Sequence, residues 1–124
     1  MLDYIEFVVE TGLRLGKQLN LTWNNIDFAK QEIYVAETNP DISRTLPLTS
    51  KAYSILESRK NLAKPFSLTK GILGYKYSKL KNDLKLENLT WHDLRHTFAT
   101  WAIKGLHSWQ KGKPLELAKL QKWL

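Results

Sequence analysis

The clearest periodic pattern in the chain runs from Leu89 to Gly105, LTWHDLRHTFATWAIKG. Leu94, Phe98 and Trp101 recur at the spacing of one buried stripe on a helix, while His92, Arg95 and His96 fall within a sector of roughly 100° on another side. Both ends are marked. Thr90 is a capping residue whose hydroxyl accepts from a first-turn amide, and Asp93, three residues on, reaches back to the capping amide. Leu89 and Leu94 stand where a hydrophobic staple closes the same end, and Gly105 supplies a left-handed stop. The pattern predicts a helix that packs along one face and offers a cationic one.

The remaining pattern predicts a mostly helical domain with a small antiparallel sheet. Leu2, Ile5, Val8 and Val9 have helical spacing, and Thr11-Gly12 ends a first helix over residues 2–11. A second short helix, about Gly16 to Leu21, turns Leu15 and Leu19 inward with Trp23 closing against them, so Arg14 is held at the turn between two helices. Asn24-Asn25 and Asp27 are turn residues. Glu32 to Glu37 (EIYVAE) is rich in β-branched and aromatic types, Asn39-Pro40-Asp41 is strong turn chemistry, and Ser43 to Leu48 (SRTLPL) returns as a second strand with Pro47 at its end or at an edge. Thr49 caps a helix to about Leu62. Phe66 to Leu68 is expected to add a third strand to this hairpin. Thr69 then opens a helix along Leu73, Tyr77, Leu80 and Leu84. Leu106 to Lys113 is expected to be a loop, and Pro114 the first residue of a last helix that buries Leu117, Leu120 and Leu124.

Composition narrows the class. The 124 residues, 43% hydrophobic with five Trp, five Tyr and four Phe, suffice for one domain with a core. No cysteine is present, which removes disulfides, thiolate metal sites and a cysteine nucleophile. No apolar run has the length of a membrane span, and the first twelve residues carry three acids, so neither an anchor nor a signal peptide is expected, and a cytoplasmic protein is.

The net charge of +7 is unevenly divided. Residues 1–50 sum to −3, residues 51–85 to +7 and residues 86–124 to +3. A basic block studded with Tyr75 and Tyr77 suits a polyanion, because lysines release counterions from a phosphate backbone; a solvated helix face is the competing reading. Within it the helix carrying Lys70, Lys76, Lys79, Lys81 and Lys85 is the expected backbone-contacting element.

His92 falls in the first turn of its helix, where free amides and the helix dipole favour an anion. An imidazole, a guanidinium and a helix N-terminus at one spot describe a phosphate site better than a carbonyl or metal site. His92 and His96 have the spacing of a zinc-ligand pair, but Asp93 is short and committed to capping, and Arg95 would set a cation beside the metal; no metal is assigned. His96 is expected in the core or behind the site, and His107 solvated in its loop. The five tryptophans are spaced as core residues. Arg44 is a candidate phosphate contact, with an ordinary exposed strand arginine as the competing reading.

TGLRLGKQLNLTW (Thr11 to Trp23), SRTLPL and TWHDLRHTFATW (Thr90 to Trp101) together resemble the catalytic domain of tyrosine recombinases, the phage integrase family, over nearly the whole chain. The resemblance implies an α+β fold, mostly α, with a three-stranded antiparallel sheet. It also implies site-specific DNA recombination and integration through a phosphotyrosine, with no metal and no nucleotide cofactor. Arg14 resembles the family's first arginine, His92 its histidine and Arg95 its second arginine. These hold the scissile phosphate, where one forked donor is worth on the order of 3 kcal/mol at the transition state.

Three departures stand against full activity. The family's nucleophilic tyrosine lies downstream of the second arginine, whereas all five tyrosines here precede His92. Alignment puts Asn39 where the family's hairpin lysine serves as general acid. Lys17 replaces a usual acid three positions after Arg14, which adds repulsion there. The sequence thus reads as one domain, residues 1–124, the core of an integrase catalytic domain lacking the N-terminal DNA-binding part and the tail with the nucleophile. It is expected to bind double-stranded DNA without cleaving it, as a monomer, with the full-length protein oligomeric on DNA and bacterial or phage-derived, part of a prophage or other mobile element. The alternative is an integrase-derived regulatory module that binds DNA and performs no chemistry.

Overall fold

A computed structural model describes residues 1–35, 44–86 and 88–114. Its elements are α1 (Leu2–Thr11), α2 (Leu15–Leu19), a 3-10 turn (Trp23–Asn25), β1 (Ile26–Asp27), β2 (Glu32–Val35), β3 (Arg44–Pro47), α3 (Ser50–Ser58), α4 (Lys70–Asp83), α5 (Trp91–Ile103) and a second 3-10 turn (Ser108–Gln110). The helices and the antiparallel sheet follow the expected α+β class. Asn39, the hairpin turn and the helix expected after Pro114 lie outside the described residues.

The sheet has the order β1-β2-β3, with Ile33 opposite both Ile26 and Leu46. These three are buried and merge with Leu48, Ala52, Leu56, Phe66 and Leu73 into the main core, so the sheet turns one face onto the helices. Pro47 pairs at the last position of an edge strand, where its missing N–H is tolerated.

The third strand is not the expected one. Ile26–Asp27 takes that place, although Asn24-Asn25 and Asp27 read as turn residues: the 3-10 turn is closed by Thr22 and Asn25, and only then does the chain extend. Phe66–Leu68 stays outside the sheet because its partners are in α1. Phe66 is wholly buried against the rings of Tyr4 and Phe7, and the Leu68 amide donates to the Tyr4 hydroxyl (3.1 Å).

Helix α3 is also shorter than expected, ending at Ser58 rather than near Leu62. Arg59 leaves it to donate to the Pro65 carbonyl and to Asp3 of α1 (3.3 Å), with its guanidinium over the Tyr4 and Phe66 rings. Leu84 was expected on the buried face of α4 and is exposed, since α4 ends at Asp83.

Helix α5 crosses α1 and begins as its sequence predicts. The Thr90 hydroxyl accepts from the Asp93 amide (3.2 Å), and Asp93 accepts from the Thr90 amide (2.8 Å). Leu89 and Leu94 pack into one cluster with Val8 and Tyr77. At the other end Gly105, at φ 72°, lets its own amide reach the Ala102 carbonyl and the Leu106 amide reach that of Trp101, which satisfies the final turn.

Three expectations for this region fail. His107 is buried rather than solvated. Its ring donates from Nε2 to the Phe98 carbonyl (3.0 Å), and Nδ1 lies 3.7 Å from the Glu10 carboxylate. The expected loop holds a 3-10 turn in which buried Gln110 accepts from the His107 amide and donates to the Ala102 carbonyl (2.7 Å). Four of the five tryptophans lie among the described residues, and all four are half-buried rather than fully buried, with Trp23 and Trp91 packed against the main core.

Candidate phosphate-binding site

The site is assembled where the C-terminus of α1 meets the middle of α5. Gly12 ends α1 at φ 68°, a conformation that L side chains rarely adopt, with its amide donating to the Val8 carbonyl (2.7 Å). A β-carbon at Gly12 would stand 2.4 Å from the Phe98 ring, so a glycine is needed for space as well. Leu13 is buried, and its amide donates to the Thr11 hydroxyl (3.4 Å), which itself donates to the Phe7 carbonyl. Arg14 follows as the exposed residue that opens α2, in extended conformation. Buried Gln18 ties α2 back to α1 by donating to the Tyr4 carbonyl (3.2 Å).

Arg95 reaches this loop from the other side. It is 7% exposed, not on an open cationic face as the helical pattern implied, and its Nε donates to the Gly12 carbonyl (2.8 Å) across 83 residues of sequence. The helix pattern misjudged it because Arg95 sits at the seam between the apolar stripe and the polar side. A long side chain at such a position runs its methylenes along the packed surface. The hydrogen bond fixes the guanidinium two residues from Arg14.

His92 lies one turn earlier on α5 and is exposed. His96 is exposed too, so of the two expected places the core is excluded, and its ring meets that of His92 edge-on at 4.6 Å. Asp93 sits between them at the helix start. Its carboxyl is held below the ordinary 3.8, first by the Thr90 backbone amide, then by the Thr90 hydroxyl, with smaller help from His96 and His92. Among the described residues no cluster of three or more His, Cys, Asp or Glu could hold a metal.

The lysines of α4 divide. Lys81 stands over the Tyr77 ring (4.9 Å), and that ring meets Trp91 edge-on (5.3 Å), which ties Lys81 to the start of α5. Burial, and then the Asp93 charge, push the Tyr77 phenol up. Lys76 and Lys79 instead line a cleft with Met1, Leu80 and Asp83, and Lys70 is exposed in the first turn. Tyr75 is 71% exposed, whereas Tyr77 is buried. Arg44 pairs through its backbone with Val35.

The sequence had marked Gly12 only as a helix stop. Its two further roles, acceptor for Arg95 and seat for Phe98, depend on how α1 and α5 cross, and no local pattern carries that.

Helices packed on a three-stranded antiparallel sheet bring Arg95 of α5 to the loop that ends in Arg14, two residues beyond its hydrogen-bond partner Gly12. Residues 2–107 match the pattern of the phage integrase family, and the chain belongs to that family. An integrase/recombinase of Haemophilus influenzae is 36% identical over 100 residues, covering 77% of this chain and 33% of that protein. The shufflon-specific DNA recombinase of Escherichia coli is 33% identical over 95 residues, covering 71% and 23%. The chain thus spans a third or less of the length of these relatives. Among solved structures, the Tn1549 transposon integrase in complex with a circular intermediate DNA superposes with a TM-score of 0.71 at 19% identity, over 98% of this chain and 49% of that one. The XerA recombinase gives 0.67 at 20%, over 98% and 50%, so the fold is shared.

Proposed function

We propose that this chain grips a backbone phosphate of duplex DNA with Arg14, His92 and Arg95, and that it does so as the core of a site-specific DNA recombinase. The observation that carries the reading is the Arg95 Nε bond to the Gly12 carbonyl, because it brings a guanidinium from the end of the chain to the loop that presents Arg14. A guanidinium fixed before the phosphate arrives, as that of Arg95 is, stabilises charge on its oxygens without reorganising, and Arg14 adds a second forked donor from the same loop. His92, exposed in the first turn of α5, adds a ring N–H donor at the end of the helix whose dipole favours an anion.

Binding without cleavage is the expected behaviour of these 124 residues. No tyrosine follows Tyr77, and Tyr77 itself is buried with its hydroxyl donating to the Leu89 carbonyl (3.3 Å). A nucleophile for the phosphate therefore has to come from outside these 124 residues; the second reading is a regulatory module that binds DNA and performs no chemistry. The lysines of α4, Lys81 foremost because of its place beside the start of α5, serve the neighbouring backbone. The structurally similar Tn1549 transposon integrase holds DNA, and the partner proposed here is the same.

The test is the affinity for a duplex oligonucleotide as salt is raised. Wild-type affinity should fall linearly on logarithmic axes, and Arg14→Gln, His92→Gln and Arg95→Gln should each weaken it. Affinity indifferent to salt removes the phosphate reading. Covalent capture of a nicked suicide substrate by this chain would contradict binding without cleavage.

A further inference from the structure

His92 is the second residue of α5 and is exposed. An exposed imidazole turns among several staggered rotamers, each of which points its N–H in a different direction. If the ring is to meet a phosphate without losing that freedom on binding, something has to select one rotamer beforehand. On a helix, side chains three and four residues apart support one another. The residues three and four before His92 are Leu89 and Asn88, and both precede the helix. Three residues after it comes Arg95, which is buried and bonded to the Gly12 carbonyl (2.8 Å). The neighbour that remains is His96.

Helix geometry suits His96 to the task. Side chains on a helix lean toward its N-terminus, so a residue covers the surface one turn before its own Cα. The His96 ring reaches back in this way and meets the His92 ring at 4.6 Å between centroids and 88° between planes. Edge against face is an arrangement that aromatic rings prefer, because the edge of one is positive and the face of the other negative. We propose that His96 is a positioning residue: its ring braces His92 in one rotamer, so that the His92 N–H is aimed before DNA arrives. The inference rests on the reading of His92 as a phosphate ligand. His96 acts through His92 and touches no phosphate itself.

Two measurements on the full chain test it. Three-bond NMR couplings between Hα and Hβ of His92, recorded without DNA, report its χ1 rotamer. Wild type and His96→Phe, which keeps an aromatic ring there, should give the couplings of one staggered rotamer, and His96→Ala should give averaged ones. Duplex binding by fluorescence anisotropy over a salt series reads the consequence. A side chain that has to be immobilised on binding lowers affinity, so His96→Ala should weaken it about two- to tenfold, and His96→Phe should restore it. The slope of log K against log salt should stay at the wild-type value in both, because no phosphate contact is removed. In a His92→Gln background His96→Ala should cost nothing further, since no imidazole is left to brace. Circular dichroism checks that each variant is folded.

A His92 rotamer or a duplex affinity unmoved by His96→Ala overturns this inference alone. A His96→Phe chain as weak as His96→Ala, with its slope lowered by about 0.9, makes His96 a phosphate contact in its own right, and the proposal fails. An undiminished loss on His96→Ala in the His92→Gln background shows that His96 acts elsewhere, and also overturns it. Duplex affinity indifferent to His92→Gln is a different failure: it removes His92 from the phosphate grip, and the brace falls with the reading on which it rests.

Discussion

Replacing Gly12 with alanine tests the joint on which the site is built. Two penalties add. At φ 68° an L side chain is strained, which costs about 1–2 kcal/mol. The new β-carbon would also stand 2.4 Å from Cδ1 of Phe98, a wholly buried ring, so either that ring or the α1–α5 separation has to give. Overpacking of this kind costs about 1–3 kcal/mol. The total, about 2–5 kcal/mol, is a large share of the roughly 5–15 kcal/mol that keeps a domain folded. At roughly 4 °C per kcal/mol for this size, Tm should fall by about 8–20 °C. Thermal and urea denaturation followed by circular dichroism measure it. The two penalties separate in a double-mutant cycle: Phe98→Leu, harmful alone, should cost less when Gly12→Ala is present, because the clash is gone while the backbone strain stays. A Gly12→Ala chain within about 0.5 kcal/mol of wild type would refute the reasoning, since neither penalty would then be real.

Other perturbations reach the site and its supports. Arg95→Lys keeps the charge but has no Nε donor for the Gly12 carbonyl, so stability should fall by about 1–3 kcal/mol and DNA affinity with it, measured by denaturation and anisotropy. Thr90→Val removes the acceptor of the Asp93 amide and should cost about 1 kcal/mol in urea denaturation. Asp93 has a carboxyl lowered by folding, so its contribution is complete above the ordinary carboxylate range and is lost as pH falls through the depressed value. Asp93→Asn should flatten the acid limb of a stability-against-pH curve at that end. His107→Phe fills the space but removes the side-chain hydrogen bond to the Phe98 carbonyl, and a loss of about 1 kcal/mol is expected in urea denaturation.

Local signals in the sequence were reliable wherever one segment decides its own structure. The capping pair Thr90 and Asp93, the staple of Leu89 and Leu94, and the stops at Gly12 and Gly105 all appear as read, because each depends on residues within one turn. What failed depended on partners far along the chain. Phe66–Leu68 has strand-like composition, yet its polar groups and rings find Tyr4 and Phe7, and no window of sequence contains both. His107 looked solvated because loops usually are. Its burial follows from the Phe98 carbonyl and from Glu10 at the end of α1. Arg95 is buried where a cationic face was expected, and His96 is exposed rather than core: a few tens of degrees around a helix separate core from surface, and the apolar stripe alone leaves that boundary undrawn.

The same dependence explains why stability and binding should move together in this chain. The helix crossing that buries Phe98 against Gly12 is the one that presents the Gly12 carbonyl to Arg95, and Leu13, locked by burial and by Thr11, hands the backbone on to Arg14. No part of that path lies in a flexible arm. A change that spreads α1 from α5 therefore has to alter the guanidinium pair, even when it touches neither arginine. Phe7, buried in the same helix with its ring against Phe66, offers the contrast. Phe7→Leu should lower stability by about 1 kcal/mol through lost packing. Its DNA salt slope should stay at the wild-type value, because Gly12 and Arg95 keep their contact. A Phe7→Leu chain that remains folded but loses slope would show that the arginines are placed by the core as a whole rather than by the α1–α5 crossing.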